Sequence, residues 1–334
     1  MGWLTGTSAS GGTDEAQGAP LLVPSLMARV RQIQIRTHKL VNTALSGGFR
    51  STFRGTGLEF AEVRPYQPGD EVRSIDWNVT ARAGAPYIKT FQEERELTLH
   101  LLVDTSSSMD FASRGLSKRE AAAQFAALVA FTAIKSQDQV GLGLFGKQAG
   151  LHLEPKKGVR HGLRVIREVL AARPTGRGSD LHEVLEHQQR TLRRRGIVFL
   201  ISDFLDQPLD KPLDQPLDES EAGGEFWGDA LASLGMRHDL IAVRVIDPLE
   251  ERLPSAGRID LSAIEGRGRT AVDAGSPAQR AAWESSAQDR AARLERIFSR
   301  ARVESLELRT DEDLANPLIA FFRRRQARYG GRVV

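Results

Sequence analysis

Residues 97–109 read LTLHLLVDTSSSM. The segment starts by alternating and then runs apolar into Asp104, the pattern of a strand covered on both faces. The chemistry then changes within one residue. Four hydroxyl side chains, Thr105 to Ser108, follow the carboxylate, and a strong helix pattern, KREAAAQFAALVAFTAIKS, covers 118–136. Working outward, VGLGLFG from Val140 is a second buried strand, 160–171 a helix, and Ser179 or Asp180 caps a further helix running to about Arg194. GIVFLISD from Gly196 is a third buried strand, again ending in Asp, and DLIAVRVID from Asp239 a fourth. Apolar strands alternating with helices predict an α/β fold with a doubly wound, mostly parallel sheet covered on both faces.

The flanks are less regular. Residues 1–23 are expected to form a disordered leader rather than a signal peptide, being rich in Gly, Ser and Thr without a long apolar stretch. Residues 24–46 carry apolar Leu26, Val30, Ile33, Leu40 and Val41 at helical spacing, and Gly47-Gly48 ends the run. From Phe49 to Glu96 the chain reads as a small β-rich module of irregular strands and loops, which with the preceding helix makes a unit over 24–96. The sheet domain is expected over 97–325, interrupted by DQPLDKPLDQPLDES from Asp206. This Pro-Leu-Asp repeat predicts a flexible insertion at about 206–222. After Pro248 come a β-like excursion from Gly257 to Asp273, a helix over 277–302, the strand VESLELRT, a last helix starting near Asp311, and a tail over 326–334.

Composition removes several functions. There is no cysteine, so disulfides, thiolate metal sites and thiol nucleophiles are excluded, and a reducing, cytoplasmic setting is favoured. The net charge of +3, from 46 basic against 43 acidic residues, is too small an excess to point to nucleic acid. No apolar run approaches the roughly 20 residues of a membrane span. Arg193-Arg194-Arg195 and Arg323-Arg324-Arg325 are read as helix-end runs that complement the helix dipole.

Open parallel sheets bind ligands outside the carboxyl ends of their strands. Asp104 and Asp203 both stand there, Ser106 and Ser108 can turn towards one point, and Ser179 opens a helix on the same edge. These are hard oxygen donors from three separated segments, suited to Mg²⁺, Mn²⁺ or Ca²⁺. The bland alternative is a capped turn, for which Asp and Ser are common. Asp180 is read as a helix cap rather than a ligand. In the N-terminal module, Asp70, Asp76, Trp77, Arg82, Glu93, Glu94 and Arg95 are read as a salt-bridged scaffold around Trp77, packed on the sheet domain.

Asp-x-Ser-x-Ser, a hydroxyl in a second loop and a strand-end Asp in a third resemble the metal-ion-dependent adhesion site of von Willebrand factor A domains. The resemblance implies metal ligation by Asp104, Ser106, Ser108, Ser179 and Asp203. Ser179 departs from the more usual Thr and lacks its stiffening methyl. A second resemblance is wider. GTGLEFAEVRPYQPGDEVRSIDWNVTARAGAPYIKTFQEERE from Gly55, SDFLD from Ser202, RHDLIAVRVIDPLEERLP from Arg237 and FFRRR from Phe321 resemble a bacterial family known as domain of unknown function 58, over about residues 45–325. GRIDLSAIEGRGRTAV from Gly257 fits that family's acidic pattern only loosely. Members commonly accompany MoxR-type AAA+ ATPases. The resemblance therefore implies a metal-dependent interaction or adaptor module in a chaperone-like remodelling system, whose partner offers a Glu or Asp to the cation. Two other functions compete. One is a structural scaffold with a vestigial site. The other is a metal-dependent phosphatase, against which stands Ser106 in the position where haloacid-dehalogenase-like enzymes carry a second Asp.

Overall fold

The computed structural model describes residues 28, 30–34, 62–67, 75, 77–90, 96–173, 179–205, 224–262 and 269–330. The expected leader and the Pro-Leu-Asp insertion lie outside the described residues, as do Asp70, Asp76, Glu93, Glu94 and Arg95.

Residues 28 and 30–34 are helical, as the spacing predicts. Strands β1 (Glu62–Pro65) and β2 (Tyr87–Thr90) pair antiparallel, with helix α1 (Trp77–Ala83) between them in the chain. That helix falls where the sequence predicts only strands and loops. It ends on Gly84, whose φ of +72° is the left-handed conformation glycine supplies at low cost. Thr80 Oγ1 then accepts from Tyr87 N at 3.0 Å, tying the helix to β2. Trp77 is 67% exposed, so it is not the packed centre of a scaffold. A large aromatic among charges suggests a packing nucleus, but this one stands in solvent.

The remainder forms one layered unit. In chain order it comprises β3 (Thr98–Asp104), α2 (Lys118–Lys135), β4 (Gln139–Phe145), β5 (Ala149–Lys156), α3 (Val159–Ala171), α4 (Leu181–Thr191) and β6 (Ile197–Ser202). There follow α5 (Gly224–Arg237), β7 (Asp239–Ile246), a short α6 (Pro248–Glu251), the hairpin β8 (Arg258–Ser262) and β9 (Arg269–Asp273), α7 (Pro277–Ala301), β10 (Glu304–Arg309) and α8 (Ala315–Gly330). The main sheet runs β10-β7-β6-β3-β4-β5, parallel throughout except for β5, which lies antiparallel on β4 at the edge. Counting only these six strands in chain order, the order is 3-2-1-4-5-6, that of a doubly wound sheet. The direction of winding reverses between β3 and β6.

Strand periodicity divides the core in two. Leu99, Leu101 and Val103 point with Ile197, Phe199 and Ile201 into a cluster completed by α2, α3 and α8. Leu102, Val198 and Leu200 point the other way, against α4, α5 and α7. Every side chain along β6 is buried, which explains the unbroken apolar run in its sequence. Val30 and Ile33 belong to the first cluster, so the N-terminal helical residues share a core with the sheet. Three elements of this unit are not expected from the sequence: the short α6, β5 and α5. β5 buries only Leu153 fully, because it is an edge strand with one face to solvent. α5 carries Gly228 and Gly235, which weaken the helical signal of its sequence. α8 continues to Gly330, past the expected end at 325, so Arg323–Arg325 lie inside a helix. Arg325 is buried and pairs with Asp239 and Glu304 rather than with a helix terminus.

Candidate functional site

The reversal point between β3 and β6 is where the two strand-end aspartates lie. Asp104 ends β3 and is fully buried, and Asp203 directly follows β6 and is 3% exposed. The Asp104 carboxylate is held at both oxygens. Oδ1 accepts from Ser106 N at 2.8 Å, and Oδ2 accepts from the Ser202 hydroxyl at 2.6 Å. Ser202 Oγ also accepts from Phe204 N at 3.0 Å, which shapes the turn leaving β6. Phe204 adopts a left-handed φ of 55° there and packs its ring on Trp227 and Phe298.

The first loop is pinned as well as folded. Thr105 donates from both N and Oγ1 to Phe145 O, each at 2.7 Å, fastening the loop to the end of β4. Residues Ser107–Asp110 then form a single 3-10 turn with Met109 buried beneath it. Ser106 Oγ and Ser108 Oγ come to 3.0 Å from each other, and Ser107 Oγ, between them in the chain, is buried with no hydrogen-bond partner among the described residues. Asp110 is half exposed and pairs with Arg119. The second loop reaches the same edge: Asp180 N donates to Gly146 O at 3.2 Å, one residue beyond Phe145, the register partner of Asp104. Asp180 is the N-cap of α4, accepting from Glu183 N at 2.9 Å, as its sequence position predicts. Ser179, half-buried, precedes it in this loop.

Two further participants are not among the residues expected from the sequence. Lys118, at the first turn of α2, is fully buried, and its ammonium donates to Asp203 Oδ2 at 2.6 Å and to Glu250 Oε1. Asp203 Oδ1 is meanwhile taken up by Leu205 N at 3.1 Å. Burial opposes the charge on Lys118, but Asp203 and Glu250 outweigh it and hold its pKa above the ordinary value. Glu250 is pushed upward by burial, partly offset by Lys118. A lysine in the first turn of a helix opposes the macrodipole, and that was the available clue that its charge is needed elsewhere.

Among the described residues no such cation is hydrogen-bonded to Asp104. Burial, and then the neighbouring charge of Asp203, raise its pKa to about 6, against the bonds from Ser202 and Ser106. A carboxylate so placed is relieved by a proton or by a positive ion. Among the described residues no group of three or more His, Cys, Asp or Glu is arranged to hold a metal. The residues read from the sequence as ligands are of another kind, two carboxylates and three hydroxyls, a donor chemistry suited to a hard cation. Ser106 Oγ and Ser108 Oγ are hydrogen-bonded to each other at 3.0 Å, a spacing that two neighbouring ligands of one ion would also keep. Neighbouring oxygens of an octahedral Mg²⁺ shell at about 2.1 Å are separated by about 3.0 Å.

The family model described as "Protein of unknown function DUF58" matches residues 62–293. The chain belongs to this family. An uncharacterized protein of Mycobacterium tuberculosis is 30% identical over 311 residues, covering 92% of each chain. The uncharacterized protein YeaD of Bacillus subtilis is 30% identical over 112 residues, 34% of this chain and 26% of that one. Among solved structures, the chain is similar to BatB of Bacteroides thetaiotaomicron, with 12% identity, TM-score 0.40, and coverage of 70% of this chain and 99% of that chain. A von Willebrand factor type A protein of Catenulispora acidiphila shows 14% identity and TM-score 0.36 over 73% of this chain and 45% of that chain. The strand order establishes the fold of this DUF58 protein as a doubly wound, mostly parallel sheet.

Proposed function

We propose that this DUF58 protein is a cation-dependent protein-interaction module, with Asp104, Ser106, Ser108, Ser179 and Asp203 as the ligand set and Mg²⁺ as the favoured ion, Mn²⁺ and Ca²⁺ being the alternatives. The observation that carries the reading is Asp104: a fully buried carboxylate, facing a second one, at the reversal point of the sheet. A divalent cation bound there supplies a localised positive charge for a carboxylate of the partner. The chain's own residues provide the rest. Ser106 N and Ser202 Oγ orient Asp104, Thr105 anchors the loop to β4, and the Ser106 and Ser108 hydroxyls turn to one side together. Little of the first loop then needs to be ordered on binding, which lowers the entropic cost of recognition.

The proposed partner is a MoxR-type AAA+ ATPase or its client, presenting a Glu or Asp, and the proposed setting is the cytoplasm. No described helix is long and apolar enough to cross a membrane. One observation favours the competing scaffold reading: Lys118 already supplies a positive charge to Asp203. Capture of a co-expressed MoxR-type ATPase by wild type and by Asp104→Ala, each with Mg²⁺ and with EDTA, separates the two. Capture by the wild type that EDTA and the substitution both abolish supports the module. Equal capture in all four arms leaves only a scaffold.

A further inference from the structure

Three loops at the carboxyl edge of the sheet are joined by a buried charge network that shares only Asp203 with the proposed ligand set. Its centre is the Lys118 ammonium, 0% exposed, between Asp203 and Glu250. Glu250 is held in turn. Its Oε2 accepts from Asp247 N at 3.2 Å, closing the capping box of α6, and its carbonyl accepts from Arg290. Asp247 is fully buried, and its Oδ2 accepts from Ser113 N at 2.8 Å, in the loop that follows Ser108. Lys118 N donates to Phe111 O at 3.1 Å in that same loop. The ammonium is thus fixed from both sides, with one contact on a ligand-set carboxylate and the other on an acid from α6.

A positive charge in contact with Asp203, away from solvent, repels any second cation that uses the same carboxylate. Such repulsion is screened far less here than it would be at a surface. Glu250 works the other way: it draws on the ammonium and adds a negative charge of its own. We propose that Lys118 sets how strongly the cleft takes a divalent cation, and that Glu250 restrains Lys118 and so keeps the cleft able to take one. This inference rests on the cation reading given above. It assigns to the pair a role in tuning, distinct from ligation.

The two residues therefore carry opposite signs. Removing the charge of Lys118 strengthens cation binding, and removing that of Glu250 weakens it. A purely structural role for the network weakens binding in both cases, because either loss loosens the loops. The test is direct titration of the full chain with Mn²⁺, followed by calorimetry and by the electron paramagnetic resonance of free Mn²⁺. Lys118→Met is expected to bind about tenfold more tightly, Glu250→Gln about threefold more weakly, and Lys118→Arg close to wild type. Lys118→Met that folds and binds equally or more weakly overturns the inference. Should Lys118→Met fail to fold, the neutral, polar Lys118→Gln takes its place with the same expected gain, and affinity equal to or below wild type overturns the inference; Glu250→Gln with affinity equal to or above wild type overturns it as well. Wild type and Lys118→Met both failing to take up Mn²⁺ is a different result, which removes the cation reading itself.

Discussion

β3 carries a buried titratable group near each end, and the two respond to acid in opposite directions. His100 is 6% exposed, and Gly141 on β4 leaves it room, since a Cβ there would stand 3.1 Å from His100 Nδ1. Burial, helped by the charges of His238 and His152, lowers its pKa from 6.5 to about 4. The unfolded imidazole takes its proton near 6.5 and the folded one near 4, so the unfolded chain holds more protons in that window and stability falls as pH falls. Asp104 is the reverse. Its folded carboxyl takes a proton near 6 and the unfolded one near 3.8, so stability rises as pH falls through that range. At 1.36 kcal/mol per pH unit, going from about pH 7.5 to 5 costs about 2 kcal/mol through His100 and returns about 1.4 kcal/mol through Asp104. Urea unfolding in EDTA should therefore show a wild-type change of about 1 kcal/mol or less, the lowered pKa of His238 adding to the loss and the raised pKa values of Glu250 and Asp110 opposing it. Asp104→Asn should unmask a loss of about 2 kcal/mol over the same interval, while His100→Leu should lose less than wild type or gain. If His100→Leu loses as much stability on acidification as wild type does, the assignment of buried, neutral His100 is wrong.

Two further substitutions test the frame around the site. Gly196→Ala would place a Cβ 2.6 Å from the carbonyl oxygen of Thr98, which is backbone and has little room to retreat. It should destabilise by about 1–3 kcal/mol in urea unfolding, and a neutral result would show that the approach of β6 to β3 is looser than described. Arg325→Met leaves Asp239 and Glu304 without the guanidinium that donates to both. Because those acids are about a third and a quarter exposed, water screens part of the loss, and about 1–3 kcal/mol is expected in the same assay.

What was legible in the sequence was whatever is written locally. The apolar runs into Asp104 and Asp203 define central strands because burial on both faces removes any polar alternation, and Asp180 is a cap because capping is decided within three residues. β5 was not legible because an edge strand needs apolar side chains on one face only, and Gly150 and Pro155 interrupt even that. The ligand set could be proposed because loops after parallel strands converge on one edge. Lys118 and Glu250 could not, because they are brought together across 132 residues, and the first-turn position of Lys118 hints that its charge is used elsewhere without naming the partner. Trp77 shows the opposite error, in which a residue type usually buried is taken as packed when its surroundings leave it in water.

The shared core of Val30, Ile33, Leu318, Phe321 and Phe322 has a consequence for how the protein is made. The first two residues leave the ribosome some 290 residues before the last, which at roughly 5–20 residues per second is about 15–60 s of synthesis. Throughout that time the part of this face that α8 covers lies bare, although α2 and α3 are already made, and β7 has no neighbour beyond it until β10 arrives. A chain begun at Leu97, at the expected domain boundary, would keep part of that face bare permanently. The nascent protein is thus most open to capture by holding chaperones and to off-pathway strand pairing until α8 has emerged and docked.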